Sequence, residues 1–379
     1  MPPKAHAILS ASSSHRWLNC PPSARLCETY EDKGSDYAAE GTDAHSLCEY
    51  KLRKALDMSA VDPSEHLTWY SEEMEDCANG YAAYILELVE AAKETCAAPV
   101  VLIEQRVDFS RWVEQGFGTS DAIIISDRTL RVIDYKHGLG VLVEADNNPQ
   151  MMCYALGALE LFDAIYDIDS VAMTVYQPRR QNVSTFEMSK DDLYRWAEEV
   201  LKPTAELAFA GDGNFLCGEW CGFCKAKHEC RARAEANLLL AQYDFKLPPL
   251  LEDSEIEVIL SRADQLVSWV NDIKEYALQQ AISGKDWTGF KLVEGRSNRR
   301  YTNEAAVTQV VTNAGFDPYE RKLLGITAMQ KLLGKSRFEE LLSAYIEKPQ
   351  GKPTLVPESD KRPVMNNAKT DFMEENDYE

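Results

Sequence analysis

Between Tyr37 and Leu56 the apolar residues Ala44, Leu47, Cys48, Leu52, Ala55 and Leu56 recur three and four apart, the period of one helix face. A second helical stretch runs from about Ser71 to Lys93. The period then shortens. VVLIEQRV from Val100, DAIIIS from Asp121 and LRVIDYK from Leu130 are short apolar runs rich in β-branched residues, and each predicts a strand. Asp127-Arg128-Thr129 predicts a hairpin connection between the last two. Asn148 as N-cap and Pro149 in the first helical position open a helix to about Leu161. SVAMTVY from Ser170 predicts a further strand, ended by Gln177-Pro178, and Asp191–Ala208 a further helix.

The order helix, three strands, helix, strand predicts an α/β fold with an αβββαβ core and added helices. Residues 1–30 are a Ser-rich entry followed by NCPPSARL, where Pro21-Pro22 argues against a regular element directly after Cys20. Composition shifts beyond Leu247-Pro248-Pro249. We therefore expect one domain over residues 1–247 and a smaller, mainly helical region over 250–348. That region holds a long amphipathic helix at Asp253–Ile282, an extended Lys291–Tyr301, and helices in Thr302–Ile346. Residues 349–379 end in DFMEENDYE, and such an acidic block predicts a solvated, disordered tail.

An apolar fraction of 45% is enough for a real core. No apolar run approaches the ~20 residues that cross a bilayer, and MPPKAHAILSASSSHRW lacks the apolar segment of a secretory signal. A cytoplasmic protein without a membrane partner is expected. The net charge of -22 argues against a nonspecific nucleic-acid coat protein, but leaves room for an enzyme with a local basic groove. Lys291–Arg300, with Arg296, Arg299 and Arg300, is the candidate for such nucleic-acid contacts, and Lys331, Lys335 and Arg337 follow on a later segment.

The chemistry concentrates at strand ends. In RVIDYKHG, Asp134 and Lys136 are two apart and so share one face of a strand where it ends. Alone, such a pair reads as a surface ion pair. It is joined by Gly41-x-x-x-His45 on the first long helix, by Gly118-x-x-Asp121 on the preceding strand, and by Gln150-x-x-x-Tyr154 on one face of the following helix. Aspartates at adjacent strand ends suit a hard divalent cation, and an imidazole moves the preference towards Mn²⁺.

GTDAH, GTSD, DYKHG and QMMCY, in that order on this frame, resemble the RecB-type branch of the PD-(D/E)xK nuclease superfamily. The resemblance implies a restriction-endonuclease-like core and a Mg²⁺- or Mn²⁺-dependent deoxyribonuclease. His45, Asp121, Asp134 and the main-chain carbonyl of Tyr135 would be metal ligands, Lys136 the catalytic lysine, and Gln150 and Tyr154 the motif contacting nucleic acid. Glu104 is a further acid on the strand before Asp121, though a surface glutamate would look the same. His137 departs from the small residue expected after the lysine.

Ten cysteines without an export signal are not read as disulfides. Cys27, Cys48, Cys77, Cys96 and Cys153 are scattered through helices and read as small apolar groups. Cys221-x2-Cys224-x5-Cys230 supplies three clustered thiols. Spacing leaves the fourth open: Cys217 would close a zinc site, and Cys20 a [4Fe–4S] cluster. The arrangement is similar to the iron–sulfur, AddB-like members of the same nucleases, which implies Cys20 and a cluster stapling the two ends of the domain. The expected substrate is DNA, single-stranded or with free ends, in phage or bacterial recombination and repair alongside a phage or host recombination protein. The rival expectation is a binding protein that keeps this frame without catalysis.

Overall fold

The computed structural model describes residues 7–31, 34–126, 128–239, 251–294, 301–319 and 323–347, with Val356 and Asp360. The chain divides into two compact units, Met1–Lys285 and Asp286–Glu379.

The first unit is a mixed α/β fold with one open five-stranded sheet and surrounding helices. Its strands β1 (Val100–Asp108), β2 (Phe117–Ser126), β3 (Thr129–Tyr135), β4 (Ser170–Gln177) and β5 (Asn182–Ser189) lie in sequence order across the sheet. β1, β2 and β3 form an antiparallel meander, β4 runs parallel to β3, and β5 is antiparallel to β4. A parallel pair needs a crossover, and the helix α5 (Pro149–Phe162) provides it. Before the sheet come α1 (Ser14–Asn19), α2 (Ser23–Glu28), α3 (Asp36–Ala55) and α4 (Glu72–Lys93); after it come α6 (Lys190–Trp196), α7 (Lys202–Ala210), α8 (Arg231–Leu238) and α9 (Asp253–Ile282).

Local chemistry sets these boundaries. Ser35 caps α3 by accepting from the Ala38 N–H, and Ser71 caps α4 through Met74. The Asn148 side chain accepts from the N–H groups of Gln150 and Met151, and Pro149 fills the position that needs no donor. α5 is buried continuously from Met151 to Leu159. It fills one core with Val107, Ile123, Ile125, Leu130, Val132 and Val175. The opposite face of the sheet, with Ile103, Ala122, Ile124, Ile133 and Tyr135, packs on Leu47 and Leu52 of α3 and Tyr81 and Ile85 of α4.

Several expectations need amendment. β5 was not anticipated, because its alternation carries Asn, Ser and Thr where an apolar strand signal would lie. β2 begins four residues earlier than the apolar run suggests, at Phe117. The Asp191–Ala208 helix is interrupted by a π-turn at Ala197–Leu201. α2 starts at Ser23, directly behind the two prolines, since Pro22 occupies the N-cap and Ser23 the first turn, where no N–H is required of the prolines. The entry segment is tied down: Arg25 Nε donates to the Phe209 carbonyl at 2.5 Å, and its guanidinium lies 4.3 Å over the Phe209 ring.

The sequence places a boundary after residue 247, whereas α9 falls within the first unit. Asp272 on α9 pairs with Arg233 at 2.5 Å and Lys227 at 2.7 Å, polar contacts that composition does not reveal. The second unit contains α10 (Glu304–Asn313), α11 (Ile326–Leu333) and α12 (Lys335–Leu342), with Phe338 buried. Asp127 of the anticipated hairpin, residues 295–300 of the anticipated extended segment, and the acidic tail lie outside the described residues. Among the described residues no helix is long and apolar enough to cross a membrane.

Candidate metal centre and thiol cavity

Strand alternation breaks at one place, and the site is built there. Val100 and Leu102 face the α5-side core, while Val101 and Ile103 face α3 and α4. Beyond Glu104 the parity reverses, so that Val107 faces α5. β2 does the same. Ile123 and Ile125 face α5, but so does Gly118, which lies under the Tyr154 ring. Both strands exchange faces at Glu104 and Asp121, the opposed pair missing from an otherwise continuous ladder. Glu104 adopts φ +51°, a left-handed conformation that costs a non-glycine residue about 1–2 kcal/mol.

The inversion frees the Asp121 carboxylate from the α5 face. Its Oδ1 lies 3.1 Å from His45 Nδ1 on α3, and its Oδ2 accepts the Tyr135 N–H at 2.6 Å. The His45 ring stands edge-on to Tyr135 at 5.6 Å. Ligand atoms of His45, Glu104 and Asp121 lie within 4.8 Å of one another, so these three could hold a metal ion. Burial opposes charge on His45, yet the Asp121 carboxylate raises its pKa to about 9. Burial, with Asp121 nearby, pushes Glu104 up to about 7. An excess of negative charge with one imidazolium as counter-ion is the electrostatic signature of a place suited to a cation.

A second cluster adjoins the first. Asp134 Oδ2 is buried and ion-paired with Lys136 Nζ at 2.9 Å. Burial raises the Asp134 pKa against the pull of Lys136; burial also disfavours the Lys136 ammonium, but Asp134 outweighs it and raises that pKa. Lys136 Nζ donates to Gln150 Oε1 at 3.2 Å. The Gln150 amide nitrogen donates to Asp134 Oδ1 at 3.2 Å and to the Tyr154 hydroxyl at 3.1 Å. One turn of α5 thus joins Gln150 and Tyr154 over the end of β3.

The structure therefore brings together His45, Asp121, Asp134, Lys136, Gln150 and Tyr154. It places Asp134 beside the lysine rather than in the tight three-residue group, and puts Glu104 in that group instead. The Tyr135 main-chain N–H donates to Asp121. A lone glutamate inside VVLIEQRV was the signal for Glu104; the face exchange that makes it useful has no counterpart in a regular alternation. His137 is buried, its Nδ1 2.9 Å from the Tyr135 hydroxyl and its Nε2 3.4 Å from Glu40. Arg296, Arg299 and Arg300 lie outside the described residues.

Two substitutions probe this geometry. A Cβ at Gly118 would lie 2.5 Å from the Tyr154 ring, so Gly118→Ala should displace Tyr154 and destabilise by about 1–3 kcal/mol, read as a lower denaturant midpoint. Glu104→Gly relieves both the left-handed strain and a buried carboxyl. In the metal-free protein it should raise stability by about 1 kcal/mol while weakening Mn²⁺ binding. The gain should depend on pH. A carboxyl with its folded pKa near 7, above its ordinary 4.5, favours folding below about 4.5 and loses that contribution as pH rises through about 7. Glu104→Gly should therefore stabilise more at pH 8 than at pH 4.5; equal effects at both would refute the strained-acid account.

Some distance along the chain, a small cavity is lined by Cys20, Cys221, Cys224 and Cys230 together with Arg16, Lys227 and Arg233. Cys20 comes from the turn between α1 and α2; the others come from the segment between α7 and α8. Cys217 hydrogen-bonds Cys221, which lowers the Cys221 pKa to about 6. Cys27 lies beside one of these thiols. It is buried as expected of a small apolar group, but its Sγ lies 3.7 Å from Cys224 Sγ. The Cys224 hydrogen bond, outweighing burial and aided by Arg16, lowers the Cys27 pKa to about 6.

The fold and these sites define a mixed α/β protein with a candidate metal centre at an interrupted β-ladder. The chain belongs to the family described as "Protein of unknown function (DUF2800)", whose model matches residues 6–363. Among solved structures it is similar to one titled "Crystal structure of SSO0001", at 14% identity, over 49% of this chain and 95% of that chain, with a TM-score of 0.20.

Proposed function

We propose that this protein is a metal-dependent deoxyribonuclease with a RecB-type PD-(D/E)xK site on a restriction-endonuclease-like core. The observation that carries the reading is the meeting of His45, Asp121 and Glu104 beside an Asp134–Lys136 pair bridged by Gln150. The antiparallel β1–β2–β3 meander, the α5 crossover and the parallel β4 support it. One imidazole and two carboxylates suit Mg²⁺ or Mn²⁺ rather than a soft metal, and the buried Asp134 carboxylate, paired with Lys136, adds a further acid beside them.

A divalent cation there would offset phosphoryl charge and supply hydroxide at neutral pH. His45, Glu104 and Asp121 would hold it. Asp121 is fixed by the Tyr135 N–H, so its carboxylate cannot swing away. Lys136, kept protonated by Asp134, presents an ammonium to the negative charge that develops on a phosphodiester in the transition state. Gln150 sets the Lys136 position and, with Tyr154, offers polar atoms to a strand lying across the β3 end. The substrate we infer is DNA with single strands or free ends, in phage or bacterial recombination and repair. Cys20, Cys221, Cys224 and Cys230 would hold a [4Fe–4S] cluster as a staple between the entry segment and the end of the domain, with no part in the hydrolysis; four thiols around one cavity fit that group.

The test is cleavage of end-labelled single-stranded and duplex DNA by anaerobically purified protein with Mg²⁺ or Mn²⁺. Lys136→Ala should lower the rate by at least ~10² and leave Mn²⁺ binding within a few-fold of wild type. Binding of DNA with no cleavage under any metal would favour the non-catalytic reading.

A further inference from the structure

Between Lys136 and Gln150 the chain leaves the end of β3 and returns to open α5, and the 3.2 Å hydrogen bond between those two side chains closes the mouth of the loop. Whatever the loop carries therefore stands beside the site. HGLGVLVE puts Leu139, Val141 and Leu142 there, 48%, 57% and 45% exposed. Aliphatic side chains gathered in water add nothing to the core, yet their backbone is firmly held. The buried Gln177 side chain donates to the Gly138 and Val141 carbonyls at 2.7 and 2.8 Å and accepts the Val143 N–H at 3.2 Å. Arg180 donates to the Leu139 carbonyl at 2.6 Å, and Asn182 to the Val143 carbonyl at 2.8 Å. The β4–β5 connection thus grips the loop by its main chain and leaves the apolar tips in solvent. Side chains so presented meet a ligand at little ordering cost.

Continuity with the site names that ligand. A DNA strand offers two chemistries, charged phosphates and apolar base faces. Lys136 supplies an ammonium for the first, and the loop that begins directly after it supplies aliphatic groups for the second. Aliphatic wedges of this kind enter base steps and unstack them. We propose that Leu139, Val141 and Leu142 form a wedge that contacts the terminal bases of duplex DNA and unstacks them, so that one strand enters the site. The inference rests on the nuclease reading and specifies its substrate as a duplex end that the protein itself opens.

The full chain is tested with Leu139→Ser, Val141→Ser and Leu142→Ser combined, surface changes that leave the Gln177 clamp in place. Cleavage of blunt duplex with Mn²⁺ should fall at least ~10-fold further than cleavage of a single strand. Ile165→Ser, also an exposed aliphatic but in the turn before β4 at the other end of the sheet, should change neither. A second readout needs no cleavage. With Ca²⁺ in place of Mn²⁺, an aminopurine as the terminal base, fluorescent when unstacked, should brighten on binding wild type and not on binding the triple variant. If wild type cleaves DNA and the variant keeps the wild-type ratio of duplex to single-strand cleavage, the wedge is overturned and the nuclease reading stands; the tip would then belong to a protein partner. Brightening by a wild type that cleaves nothing would sink the nuclease reading and leave the wedge standing. Duplex bound by wild type without brightening, or no duplex bound at all, would also overturn the wedge.

Discussion

Asp121→Ala is expected to reduce Mn²⁺-dependent DNA cleavage by about 10³-fold, equivalent to about 4 kcal/mol of transition-state stabilisation, and to abolish measurable Mn²⁺ binding at the centre. No other single change touches as much of the site. The Asp121 side chain meets His45 through one oxygen and the Tyr135 N–H through the other. Its removal would take a proposed ligand, release the imidazole whose pKa it raises to about 9, and leave a buried N–H without its acceptor. Loss of that hydrogen bond costs about 1–3 kcal/mol, partly returned because a buried charge has also gone. The variant should therefore remain folded by circular dichroism. Cleavage by Asp121→Ala within ten-fold of wild type would place the chemistry elsewhere.

Loss of the thiol-bound metal is expected to have the largest effect on stability. Cys221→Ala should lower the melting temperature of anaerobically purified protein by about 10 °C. The proposed staple would join Cys20 in the entry segment to cysteines about two hundred residues later, and closing such a loop would withhold about 5 kcal/mol of chain entropy from the unfolded state. A chain this long shifts its melting point by a few degrees per kcal/mol. Cys96→Ser should leave the melting temperature unchanged. Equal melting of wild type and Cys221→Ala, both with their metal content measured, would show that the thiols staple nothing.

The sequence was a good guide wherever the chain follows a regular period, and a poor one where it departs. α3, α4, α5 and four of the five strands follow from helical or strand patterning, because their apolar residues must reach one of two cores. β5 was missed since an edge strand with polar residues on both faces has no such requirement. The motif residues came together because GTDAH, GTSD, DYKHG and QMMCY sit at points the topology brings to one end of the sheet. What patterning could not reach was the placing of Glu104, named in the sequence only as a further acid, beside His45 and Asp121. That placing depends on two strands exchanging faces in concert, which a reading of each strand by itself does not foresee. Cys27 is buried as its place on a helix face suggests, and its contact with Cys224, almost the whole domain away in sequence, is one that spacing does not reveal.

The most direct test is a crystal of the protein soaked in Mn²⁺ and measured at the manganese absorption edge. One anomalous peak should appear within bonding distance of the His45 imidazole and the Asp121 carboxylate, with Glu104 or Asp134 as the next ligand. A fully soaked crystal with no peak there, or with its only peaks on surface acids away from the Glu104–Asp121 break, would contradict the account.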